Sequence, residues 1–388
     1  MLEGDKGEGV RVAMNVVVKV GEVLGAERLV RITNAHISGI SYKNIGDEGL
    51  EFLKSILESG VRFSVPTTIN PAGIDLEDWK EMGVSESFAY KQREIIEVFK
   101  KMGATPLLSC TPYKYSKIKY RDHIAWSESN AVLYANSVIG ARTNRDGGPL
   151  ALFEGIVGRA PLVGMHVEEN RRPTVVYDLA QVGEKVDEKG FFSELGYLIG
   201  MEVKKGIPAV INPSKGLLDE RKVKLFLAAL GTAGSIAMVL IQGLSPEFKE
   251  EDLKGLEVVR PSIGELVDVR ERFSADADVI VLGCPHLFPE ELVDIVTKLQ
   301  NCDKLLKRLI IFTSRRAAMV ASNHIERLRM KGVKVFYDTC MVVADLRSMG
   351  INSVIVDSAK AAYYLQSQGY NVRLMGREEA LRYACRDN

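Results

Sequence analysis

A chain of 388 residues with 46% hydrophobic content can bury a large core and by length should hold two or three domains, which excludes a disordered polypeptide. Lys plus Arg and Asp plus Glu stand at 51 each, so no bulk field draws the chain to nucleic acid or anionic lipid, and any basic site must be local. The opening MLEGDKGEGV is acidic and glycine-rich where a secretory signal needs a basic patch and an apolar core, so a cytoplasmic protein is expected.

In chain order, RLVRITNAHISGISY and RFSVPTTINPAGID each read as a strand ending in polar residues and a turn, with GDEGLEFLKSILESG as the helix between them. KKMGATPLLSCTPY repeats the pattern. WSESNAVLYANSVIG reads as a helix with Ser127 as its N-cap, followed by the polar loop ARTNRDGG. The uncharged stretch from Leu225 to Ser245 is long enough for a membrane span, but it is diluted with Gly, Ala, Ser, Thr and Gln and reads as a buried helix running towards a strand. EFKEEDLKGLEVVRP is a charged connector. From KRLIIFTS onwards, short β-branched runs alternate with amphipathic stretches ending in glycine, the pattern of a parallel, doubly wound α/β unit. The main seam is placed near Pro213 to Gly216, giving regions 1–215 and 216–388.

Five cysteines are scattered rather than framed in pairs, so a disulfide scaffold is not expected, and Cys302 and Cys385 read as ordinary helix and tail thiols. Cys110, Cys284 and Cys340 differ, because each follows an apolar run at the expected carboxyl end of a strand, the edge where α/β sheets bind ligands. Each taken alone is a buried core thiol. Taken together, three thiolates from distant parts of the chain suit an iron–sulfur cluster with one iron left open as a Lewis acid. A zinc held by three cysteines and water competes, with His286 either a fourth ligand or a loop histidine.

The segments NAHISGISY, PTTINPAG, SCTPY, WSESNAVLYANSVIGARTNRDGGP, GCPH, DTCMVV and VIVDSAKAAYY together resemble the aconitase X family across nearly the whole chain. The resemblance implies an aconitase-like multidomain α/β architecture with the cluster at the interdomain crevice. It also implies the split form of the family, in which the swivel domain is a separate small subunit and therefore a partner. The implied reaction is dehydration of (R)-5-phosphomevalonate to trans-anhydromevalonate 5-phosphate on a modified mevalonate route to isoprenoids. Carried over by position, Cys110, Cys284 and Cys340 would hold a [4Fe-4S] cluster, which can lose its open iron to leave [3Fe-4S]. Gly39, Ile40, Ser41, Asn70, Pro71, Glu128, Ser129 and Lys360 would contact substrate, with Ser41, Glu128 and Lys360 catalytic. Dehydration of another hydroxy acid, such as cis-3-hydroxy-L-proline, and a non-catalytic iron–sulfur module are the alternatives.

Several of these residues also have ordinary roles. Gly39 to Ser41 can be a plain turn, Asn70 a turn former, Glu128 a first-turn residue complementing the helix dipole, and Lys360 a solvated cation. Arg142 and Arg145 are further candidates to clamp a phosphate or carboxylate. Asn34 and His36 are candidate supporting groups, and His36 is a possible base.

Overall fold

In the computed structural model, which describes residues 1–385, the first expected strand breaks in two. The chain forms β1 (Leu29–Arg31), β2 (Ala35–Ile37), β3 (Thr67–Ile69), β4 (Ala125–Trp126) and β5 (Arg159–Pro161). β1 pairs antiparallel with β5, whereas β2 lies between β3 and β4 in a parallel sheet. The switch falls at Ile32 and Thr33, whose backbone N–H groups go to Gly158 O and His123 O on different neighbours. PLLSC does not form a strand. Only Thr105 bridges to Thr68, and Leu108 turns the chain away at φ 51°, so Cys110 sits on an irregular loop beside β3. Ser127 does not cap the following helix either. Its Oγ donates to His36 O (3.0 Å) and accepts from Ser38 N (2.8 Å), and Glu128 takes the N-cap position of the helix Ser129–Tyr134.

The middle of the chain builds β6 (Val175–Asp178), β7 (Pro208–Ile211), β8 (Leu240–Ile241) and β9 (Val258–Val259) in the parallel order β8-β7-β6-β9. This sheet draws strands from both sides of position 215. The long uncharged stretch is the end of the helix Glu220–Ala233 running into β8, as its composition suggests. Its small residues permit a close helix crossing: a Cβ on Gly196 of the neighbouring helix would lie 2.1 Å from Phe226 O. Among the described residues no helix is long and apolar enough to cross a membrane.

The last part holds β10 (Ile280–Leu287), β11 (Leu309–Thr313), β12 (Lys334–Tyr337), β13 (Ser353–Val356) and β14 (Asn371–Leu374), all parallel, in the order β12-β11-β10-β13-β14. Every residue of β10 is buried, which is why VIVLGCPH reads as a continuous apolar run: helices cover both faces of the sheet. Strand order reverses direction between β10 and β13, and the crevice of such a sheet opens at the carboxyl ends of those strands. The apolar run after Cys340 forms turns and a short 3-10 segment, Arg347–Met349, rather than a helix.

Cys302 and Cys385 are not separate thiols. They form a disulfide with Cα atoms 5.7 Å apart, because the tail helix folds across the entry to β11, where Leu306 N donates to Ala384 O (2.8 Å). Spacing of 83 residues hides that neighbourhood from the sequence.

A buried charge network ties the middle and last parts together. Lys224, fully buried, donates to His286 O (2.7 Å) and pairs with Glu291, which also accepts from Arg377 (2.6 Å); Arg377 reaches Asp357 at 2.6 Å. Removing one member strands an uncompensated buried charge. Lys224→Met should therefore lower stability by about 3–5 kcal/mol, read as a drop in the urea midpoint. A midpoint matching wild type would show that the network contributes nothing.

Candidate functional site

β10 must approach β11 closely to bring its thiol to the crevice. Gly283 adopts φ 111°, and a Cβ there would stand 2.0 Å from Phe312 O, so only glycine fits. Cys284 follows directly, and its bond to Pro285 is cis. Cys340 lies three residues beyond β12, after a turn in which the Asp338 carboxylate accepts from Arg315 N (2.8 Å) and Nε (2.9 Å). Across the crevice, the loop after β3 docks on the same turn, with Ala72 N donating to Asp338 O at 2.9 Å.

The three expected thiols are free, and each is more than nine-tenths buried. Burial pushes the Cys110 thiol up to about 12, helped by the Glu128 carboxylate and Cys340 and opposed by Lys360. Cys284 is likewise driven up by burial, with Lys360 opposing and the other two thiols adding to the rise. The three therefore feel one another and the same ion pair. Among the described residues no three His, Cys, Asp or Glu side chains converge as ligands of a single ion do.

Both ring nitrogens of His286 are engaged within the protein. Its Nε2 donates to Thr339 O (2.8 Å), its Nδ1 accepts from Ser109 Oγ (3.2 Å), and its backbone N–H points to Cys110 Sγ (3.3 Å). It stitches the Cys284 strand to the loops of both other thiols. Burial holds its ring down at about 4, so it is neutral.

Beside the thiols lies a buried ion pair, Lys360 with Glu128, whose side chains are 10% and 12% exposed. Lys360 enters from the helix after β13, capped by Ser358. Its ammonium also donates to Ser129 Oγ (3.2 Å). Burial opposes ionisation of Glu128, but Lys360 and the Asn70 amide, donating at 2.8 Å, outweigh it and hold the carboxyl down at about 2. Lys360, despite burial, is pushed up by Glu128 and stays charged. The lysine is thus no solvated surface cation, and Asn70 is more than a turn former.

The expected substrate loops reach the same groups, Asn70 through Glu128 and Ser41 through Val343, three residues after Cys340. Gly39 takes φ 76° with nothing within 4 Å of where its Cβ would lie, so a ligand can approach its backbone. Ile40 and Ser41 are buried, and Ser41 Oγ has one long contact to Val343 O (3.4 Å). Gln92 holds this loop against the one after Asn70 and Pro71: its Oε1 accepts from Tyr42 N and Gly73 N (both 2.9 Å), and its Nε2 donates to Ile40 O (3.1 Å). Sequence reading missed it, although a Gln among Ala89, Ile95, Ile96 and Phe99 on the buried face of a helix is a signal. Asn130 was missed too; its amide donates to Cys110 O (2.7 Å) and its carbonyl accepts from Tyr113 (3.0 Å).

Other candidates serve the frame. Arg142 pairs with Glu168 (2.8 Å), and Asn34 accepts from the Trp126 indole (2.8 Å). Arg145 donates to Gly234 O (2.7 Å) and Ile236 O (3.3 Å) on the middle part, within electrostatic reach of Glu128. His36 has both ring nitrogens occupied, by Thr68 Oγ1 (2.8 Å) and Asn70 Oδ1 (3.0 Å), and burial holds it at about 4; it has no lone pair to spare as a base.

Three family models cover the chain in order: aconitase X first domain over residues 1–169, second domain over 173–271 and third domain over 277–386. The chain is 38% identical to the phosphomevalonate dehydratase large subunit of Thermococcus kodakarensis, across 99% of this chain and 97% of that one. The relative of the same description from Methanocaldococcus jannaschii is 38% identical, covering 95% and 93%. A cis-3-hydroxy-L-proline dehydratase from Pseudomonas aeruginosa is 32% identical over 97% of this chain but only 67% of its own length. The crystal structure of Thermococcus kodakaraensis aconitase X in its holo-form superposes with a TM-score of 0.90 at 37% identity, covering 99% of this chain and 97% of that one.

The neutral histidines make a pH prediction. His36 and His286 are held at about 4 and His166 at about 3, whereas an unfolded histidine titrates near ~6.5. Their contribution is complete above that unfolded value and is lost as pH falls towards the folded ones. The urea midpoint should drop steadily between about pH 6.5 and 4. A flat profile there would show these rings charged in the folded state.

Proposed function

The chain belongs to the aconitase X family, and from that premise we propose that it is the catalytic large subunit of a hydro-lyase that dehydrates (R)-5-phosphomevalonate to trans-anhydromevalonate 5-phosphate. One observation carries the reading: three free, buried thiols lie within electrostatic reach of the Glu128–Lys360 pair, in a chain that aligns almost end to end with relatives of that description.

The residues fit an iron–sulfur cluster on Cys110, Cys284 and Cys340, as [4Fe-4S] or, short of one iron, [3Fe-4S]. Buried thiols driven towards protonation need a cationic group to become ligands. Bound there, the cluster supplies an iron without a protein ligand, a Lewis acid that makes a hydroxyl a better leaving group.

The chain's own residues supply the rest. Lys360 Nζ, which Glu128 keeps charged, would hydrogen-bond the departing hydroxyl and stabilise the negative charge that develops on it. Ser129 and Asn70 fix the pair's orientation and offer polar edges to the substrate. Gly39, Ile40 and Ser41 present backbone to a carboxylate or phosphate, and Pro71 shapes the opposing loop. Among the described groups, His36 and His286 are fully engaged and Glu128 is a weak base, so removal of the C2 proton falls to Ser41, whose hydroxyl has one long contact, or to the small subunit.

The chain purified without oxygen together with a small subunit, incubated with (R)-5-phosphomevalonate in water, should give the vinylic proton signal of the anhydro product by NMR. The large subunit alone should be nearly inactive. No product from a cluster-loaded complex, or turnover of cis-3-hydroxy-L-proline instead, would sink the assignment. Cys284→Ser should abolish the cluster's EPR signal, while Cys302→Ser should leave it; equal behaviour would overturn the ligand set.

A further inference from the structure

We infer that His36 is a positioning residue for the catalytic pair, acting as a neutral Nε2–H tautomer that locks the Asn70 carboxamide with its amide edge on Glu128. This rests on the reading that Glu128 and Lys360 are catalytic. The strand order β3-β2-β4 sets it up. Parallel register places His36 of β2 beside Thr68 of β3 and Trp126 of β4. Residues two further along share a face, which brings Asn70 and Glu128 to either side of the central histidine.

Donor bookkeeping then fixes every proton. Glu128, held ionised by Lys360, can only accept, so Asn70 must turn its Nδ2 towards it, as the 2.8 Å contact shows. The Asn70 Oδ1 therefore faces His36 Nε2 at 3.0 Å and needs a donor, so Nε2 carries the hydrogen. Nδ1 is left with its lone pair, filled by the Thr68 hydroxyl at 2.8 Å. Without the His36 N–H, the Asn70 carbonyl loses its donor, and the amide is free to swing off its line with the Glu128 carboxylate, loosening the orientation of the pair.

The test has two independent readouts. In the full-length chain labelled with ¹⁵N-histidine, the ring signals lost in His36→Gln should show a protonated Nε2 and a bare Nδ1. The opposite tautomer overturns the inference. In the cluster-loaded complex with the small subunit, His36→Leu should cut kcat roughly 10–100-fold with KM little changed, while His36→Gln, which keeps a donor at that reach, should recover most of the rate. Equal losses in the two variants, or a loss confined to KM, overturn it. If His36→Leu fails to fold, Thr68→Val serves: a ring that keeps its hydrogen on Nε2 without the Thr68 hydroxyl supports Asn70 as the cause of the tautomer, whereas a shift of the hydrogen to Nδ1 refutes it. A wild-type complex that does not dehydrate the substrate would end the proposed function, and the nitrogen spectrum would still decide this point.

Discussion

The ion pair between Lys360 and Glu128 constrains everything around it. A charge removed from water is tolerated only if its partner and remaining hydrogen bonds are in place. Lys360 comes from the last sheet and Glu128 from the first, so the pair survives only when the two parts meet in one register. The docking of Ala72 on Asp338 and the Arg315 contacts with Asp75 and Asp338 enforce that register from outside the crevice. The thiols, which have no attraction for one another, are held within electrostatic reach by the same constraint.

The polar groups nearby divide the labour. Permanent charge is concentrated in one pair, while His36 and His286 organise the space as neutral rings with fixed donor and acceptor ends. A neutral ring orients its neighbours without adding a field that competes with the substrate's anionic groups. Behind them, Lys224 grips the His286 carbonyl, so the buried network of the middle part also steadies the strand that bears Cys284.

The sequence made the last sheet legible because parallel strands covered on both faces give β-branched runs that glycine-ended helices separate. The three special thiols were legible by their company: each follows an apolar run and precedes a turn. Cys110 nevertheless sits on no strand, since PLLSC bends at Leu108 instead of pairing. Ser127 looked like a cap because local spacing cannot reveal that its hydroxyl is claimed by Ser38 and His36, about ninety residues away. Asn130 and the stitching role of His286 were invisible for the same reason, while Gln92 showed only as a polar residue on an apolar helix face. Their partners lie on loops that only the tertiary fold brings together.

The disulfide between Cys302 and Cys385 makes a covalent ring of the segment between them. Cys340 and Lys360, one thiol of the site and its buried cation, both lie inside that ring, together with four of the five strands' worth of sheet from β11 to β14. The tail helix therefore cannot peel away and let these strands fray one after another. In the unfolded chain, closing a ring of that length removes roughly 4–5 kcal/mol of conformational freedom. The oxidation state of two sulfurs at the far end of the sheet thus sets how readily Cys340 and Lys360 are drawn apart.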